Sequence, residues 1–141
     1  MISPRSDEGS ATVEFIGLSI ILLIPAIYLL LTISQLQAAG YAAVAAADQA
    51  AKTVGFSEDA AQAERRAVRT VQLTAADFQL DPQATSTTIH CSNSECTDPG
   101  TQIQVHVSID VALPLVPTFL GNPTRIATMN ATGYHVIGDF E

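Results

Sequence analysis

From Phe15 to Ala47 no side chain carries a formal charge, and this stretch limits what the chain can fold into more than any other feature. Its first part, Phe15 to Leu36, is apolar for about 22 residues, enough to cross a bilayer as a helix. Pro25 lies near its middle. An internal proline costs a helix in water about 3 kcal/mol, whereas in a membrane it is tolerated and kinks the helix. A secretory signal peptide is the rival reading, and the small residues Ala38, Ala39, Gly40, Ala42 and Ala43 downstream would suit it. Signal cores are shorter, about 7–15 residues, and here Asp7 and Glu8 stand beside the run with Arg5 as the one basic residue. Arg5 casts a single vote for a cytoplasmic N-terminus, with the long acidic part crossing the membrane.

The run opens with Gly9-Ser10-Ala11-Thr12-Val13-Glu14-Phe15. A carboxylate buried in lipid costs roughly 2.5–3.5 kcal/mol even on the lenient insertion scale, so an acid at this lip points to function. Glycine before a cut, glutamate at the fifth mature position and an aromatic after it resemble the processing site of class III (type IV-like) prepilins. Over residues 7–36 the chain looks especially like the TadE family of minor pseudopilins from tight-adherence (Tad/Flp) pilus systems. The resemblance implies cleavage between Gly9 and Ser10 by a prepilin peptidase. It implies assembly through Glu14, Phe15 and the apolar helix, with Pro25 where such a helix can melt locally on entering a filament. The partners it implies are other pilins and pseudopilins, the inner-membrane pilus assembly platform and membrane lipid. Glu14 would then pair with the free amino group of Ser10, its own or a neighbour's, and so set the register of assembly. Breaking such a pair in low dielectric costs about 3–5 kcal/mol.

Composition narrows the alternatives. The chain has 141 residues, a net charge of −8 and six basic residues, so a nucleic-acid groove, which needs clustered Lys and Arg, is excluded as a reading. Arg65, Arg66 and Arg69 form the one basic cluster, with Glu58, Asp59 and Glu64 beside it. That is either a solvated mixed-charge helix face or a surface for an anionic partner. Abundant alanine, few aromatics and no tryptophan describe a helix-rich, thinly cored protein that would profit from neighbours.

The expected fold is α+β: a long N-terminal transmembrane helix, a second helix, then a small antiparallel three-stranded module with one disulfide. The expected boundaries are a leader over 1–9, the extended helix over 10–54, a second helix over 55–80 and the β module over 81–141. After Leu36 the alanine-rich chain offers no helix stop except Gly40, which costs about 1 kcal/mol. Its Ala/Gly surface reflects either helix propensity alone or packing in a bundle of similar helices. Ser57 is the expected N-cap of the second helix, with Glu58 and Asp59 in its first turn. Its apolar stripe is Ala60, Ala67, Val68, Val71, Ala75 and Phe78, and Pro82 closes it. Ile103, Val105, Val107, Ile109 and Val111 alternate with polar residues and predict a strand wet on one face. Thr85–Cys91 precedes it, with turn chemistry at Thr97-Asp98-Pro99-Gly100. Arg125–Val136 is the third strand, with Ile126, Tyr134 and Val136 on one parity. Leu113-Pro114-Leu115-Val116-Pro117 is a crossover to it.

Cys91 and Cys96 are the only cysteines, and outside the cytoplasm they would form a disulfide. A metal site with His90 is the rival, but it lacks a fourth ligand, and His90 and Cys91 would point to opposite faces of a strand. His90, His106 and His135 are scattered, and no phosphate loop or nucleophile motif occurs. The sequence therefore predicts a structural role, no enzyme and no cofactor. The alternative is a single-pass membrane-anchored extracellular binding module that joins no filament, and a secreted soluble protein stands third.

Overall fold

The computed structural model describes residues 10–93, 96, 98–114 and 125–138. Helix α1 (Ser10–Gly55) is a single element of 46 residues that continues through Pro25. Its hydroxyl residues bond to the helix's own carbonyls: Ser19 to Phe15 at 2.8 Å, Thr32 to Tyr28 at 2.9 Å and Thr53 to Gln49 at 2.8 Å. Such back-bonding hides their polarity inside an apolar helix. From Ala39 onward the helix has a buried face of Ala39, Ala42, Ala43, Ala46, Ala47, Ala50, Ala51 and Val54, the three- and four-residue spacing of one helical stripe. The chain's own sheet and second helix cover this stripe. The small-residue surface is thus used within the molecule, not left open for a bundle of similar helices.

Helix α2 (Ala60–Asp77) returns along α1 and buries Ala63, Ala67, Val71, Thr74 and Ala75. The buried face is shifted from the expected stripe, since Ala60 is exposed, Val68 is half-buried and Phe78 lies at the C-cap. The N-cap is Asp59, not Ser57: the Asp59 carboxylate accepts from the Gln62 backbone N–H at 2.6 Å. Ser57 instead donates its hydroxyl to the Thr53 carbonyl at 2.9 Å and finishes α1. A charged acceptor at the positive end of the helix outcompetes a hydroxyl that already has a partner. At the other end the N–H of Leu80 reaches the Ala75 carbonyl and that of Gln79 the Ala76 carbonyl, both at 2.9 Å. This is a Schellman closure with Gln79 at φ 60°, a position that glycine fills at lower cost.

Strands β1 (Thr85–Cys91), β2 (Gln102–Ala112) and β3 (Arg125–Val136) form an antiparallel sheet in the order β1-β2-β3. Ile103, Val105, Val107, Ile109 and Val111 of the central strand are all buried, as their alternation predicts. Thr101 donates to the Asp98 carbonyl at 3.1 Å with Gly100 at φ 75°, a type II turn with proline at its second position. Thr97, Leu115, Val116 and Pro117 lie outside the described residues. The strands β2 and β3 are consecutive antiparallel neighbours, so their order in the sheet contains no crossover.

In the third strand the parity that holds Tyr134 and Val136 faces outward. Tyr134 and Val136 are each 57% exposed, while Gly133 is buried and Met129 and Ala131 pack against the core. At Ala131 and Gly133 the inward parity carries small residues where α1 lies almost on the strand: a Cβ built on Gly133 would overlap the Ala47 carbonyl and come within 2.8 Å of the Asp48 nitrogen. Gly133→Val is expected to destabilise the fold by about 1–3 kcal/mol, read as a lower denaturant midpoint of the full chain in detergent. Gln79→Gly should act oppositely and raise stability by about 0.5–1 kcal/mol in the same titration.

Candidate functional site

The lower half of α1 is the part of the molecule that its own fold leaves uncovered. Between Val13 and Ile33 fourteen large apolar side chains are exposed, Phe15 by 71% among them. They lie on every side of the helix, and the most apolar eighteen-residue window has a mean hydropathy of 2.6 with none of it buried. This is one helix long and apolar enough to cross a membrane. An exposed apolar surface of this extent is an interaction surface for lipid or for other helices.

Ser10 and Glu14 lie one turn apart in α1, so the two share a face at the spacing where side chains meet. Both are exposed, as is Phe15 beside them. Pro25 is exposed within the continuous helix; lacking an N–H, it leaves the Ile21 carbonyl without its helical donor. Gly9 lies outside the described residues.

At the far end of the sheet Cys91 and Cys96 form a disulfide, with an S–S distance of 2.01 Å and Cα atoms 5.4 Å apart. Both sulfurs are therefore committed to each other and not to a metal. The loop they close is also held by polar contacts: Asn93 donates to the Thr101 hydroxyl and the Gln102 N–H to the Ser92 hydroxyl, each at 3.0 Å. The histidines stay apart. His90 is exposed beside the disulfide, and His106 lies 3.1 Å from the Thr132 hydroxyl. His135 sits over Gly55, with its ring centroid 6.0 Å from that of Phe56. Among the described residues no three His, Cys, Asp or Glu side chains gather as a metal site would need.

The outer face of the sheet is a polar ladder that sequence reading did not resolve. Gln104 donates to the Tyr134 hydroxyl at 3.2 Å, Ser108 to Asn130 at 2.6 Å and Thr128 to Asp110 at 2.7 Å. Asp110 also pairs with Arg125 at 2.7 Å. Alternation on β2 was the available signal, but the pairs follow from register with β3, which a single strand does not disclose. Arg65, Arg66 and Arg69 are exposed on α2, and among the described residues the only ion pairs are Lys52–Asp48 and Arg125–Asp110.

Compared with protein-family models, with curated proteins and with solved structures, the chain matches none.

Closing the small loop between the two cysteines contributes about 2 kcal/mol in the chain-entropy model. Cys91→Ser combined with Cys96→Ser should lower unfolding stability by about that amount, and dithiothreitol should shift the wild-type midpoint equally while leaving the double variant unchanged.

Proposed function

We propose that this chain is a structural subunit, a TadE-like minor pseudopilin of a Tad-type pilus. On this reading it is made as a precursor, cut after Gly9 by a prepilin peptidase and assembled through its apolar N-terminal helix. One observation carries the reading: a single helix carries Glu14 one turn after Ser10, exposes an apolar lower half and gives its upper half to a small domain. The helix would sit in the membrane before assembly, with the sheet domain outside the cytoplasm. The Cys91–Cys96 disulfide agrees with that side, since disulfides persist in oxidising compartments. In assembly the lipid around the lower half would be exchanged for neighbouring helices. Glu14 would enter that apolar surround only with a cationic partner, such as the amine freed at Ser10. A match of this kind selects one axial register, because a neighbour shifted by a turn leaves both charges unpaired.

The second reading is a single-pass anchored binding module in which the outer face of the sheet meets a ligand. The exposed Tyr134 on that face is its support. Most polar side chains there are already bonded across the strands, which leaves few groups demanding a ligand.

N-terminal sequencing and intact mass of protein from membrane and sheared-surface fractions, with and without the peptidase, separate these readings. A start at Ser10 that needs the peptidase is expected. A start at Met1 favours the anchored module, and a start in the region of residues 40–48 makes the apolar run a cleaved signal. Glu14→Gln should insert and be processed normally yet be lost from the sheared fraction; recovery there at the wild-type level would remove the register role.

A further inference from the structure

The junction between the lower half of α1 and the sheet domain has no spacer. The apolar run ends at Leu36, and the first fully buried residue of the domain contact is Ala39, ~4.5 Å further along the helix. Gln35 itself lines a cavity of about 460 Å³ together with Gln83, Asp110, Leu113, Pro114 and Arg125. The start of β3, where Arg125 pairs with Ala112, is thus level with the last turn of the apolar run. From there the sheet climbs along α1, with Gly133 against Ala47 and His135 against Gly55. The headgroup layer on each side of a bilayer is only about 5–7.5 Å deep, so this end of the domain falls within it.

We propose that the end of the sheet domain around Gln35, Gln83, Leu113 and Arg125 is a lipid-headgroup contact surface, on which the domain rests directly against the bilayer. The proposal rests on α1 crossing the membrane. Two side chains support it, Tyr41 outside the cavity and Arg125 at its edge. Tyr41 is 72% exposed on the side of α1 away from the sheet and lies ~7.5 Å past Leu36, the level where tyrosine is enriched at membranes. The Arg125 side chain is 66% exposed and ends a long apolar stem of the kind that reaches from protein to phosphate. Asp110 lies 2.7 Å from that guanidinium and Asp81 lines the same cavity, so the surface has no net positive charge. It therefore takes zwitterionic headgroups and needs no anionic lipid, unlike a polybasic patch.

The test uses the full chain in nanodiscs of phosphatidylcholine, with one added cysteine carrying a bimane at Leu22, Gln83 or Glu58. The native cysteines are held in their disulfide. Nitroxide lipids quench from the headgroup or from mid-chain. The expected result is quenching of the Leu22 probe by the mid-chain label and of the Gln83 probe by the headgroup label. The Glu58 probe, past Gly55 and so more than ~28 Å beyond Leu36, should be quenched by neither. Leu22 quenched with Gln83 as bright as Glu58 overturns the contact surface while leaving the span intact. Leu22 unquenched by mid-chain nitroxide overturns the span, and this proposal with it. A Gln83 signal that appears only after anionic lipid is added also overturns it, since the contact is then electrostatic attraction of another surface.

Discussion

Everything above Leu36 depends on one close approach, that of α1 to β3 at Ala47 and Gly133. Backbone meets backbone there, because a single methyl on Gly133 would occupy the position of the Ala47 carbonyl. Helix and sheet can come this near only if both contact faces carry little more than hydrogen or methyl. Hence the stripe from Ala39 to Ala51 on one side and Ala131 and Gly133 on the other. Such a core buries little apolar area per residue, since hydrophobic stabilisation scales with the surface removed from water. What it lacks in side-chain bulk is supplied by β2, whose five large aliphatic residues are all buried, and by the cross-link beyond β1.

The same alanines let one helix serve two surroundings. Alanine has the highest helix propensity, so α1 needs no cap or break where the lipid-length run gives way to the packed stripe. Large residues occupy the lower half, where apolar area must face outward; small ones occupy the upper half, where a sheet must come close. A rigid continuous rod fixes the height of the sheet domain relative to the apolar run. The absence of any spacer between Leu36 and Ala39 is a consequence of that continuity.

How far the fold was legible follows from these contacts. The alternation of β2 was plain because its inner face meets side chains and is filled by Ile and Val, the pattern the period-two rule assumes. On β3 the rule gave a shared parity but not its face: Tyr134 and Val136 are large residues, yet they turn outward where the helix lies close to the opposite face. A sequence shows volume but not the distance to the facing element, so residue size alone does not disclose the inner face of a strand packed on a helix backbone. Ser57 was misassigned for a similar reason, since its hydroxyl was already taken by Thr53 in a helix end that only the fold defines. The spacing of Ser10 and Glu14 on one helix was legible because it is local, four residues along the chain. The cavity joining Gln35 to Arg125 was not, because nothing in either segment announces the other.

The distribution of satisfied and unsatisfied surface suggests where the molecule meets its surroundings. Gln104, His106, Ser108 and Asp110 each have a cross-strand partner on β3, and a hydrogen bond already made inside the protein adds little when exchanged for one outside. The apolar side chains of the lower helix have no such internal partner. Removing them from water is worth roughly 25 cal/mol per Å², and fourteen of them lie exposed. A carboxylate set at the edge of that surface changes its character, because apolar burial has no direction while a charge admits only neighbours that answer it. On the proposed reading, affinity and register are carried by different residues of α1, Phe15 and its aliphatic neighbours for the first and Glu14 for the second.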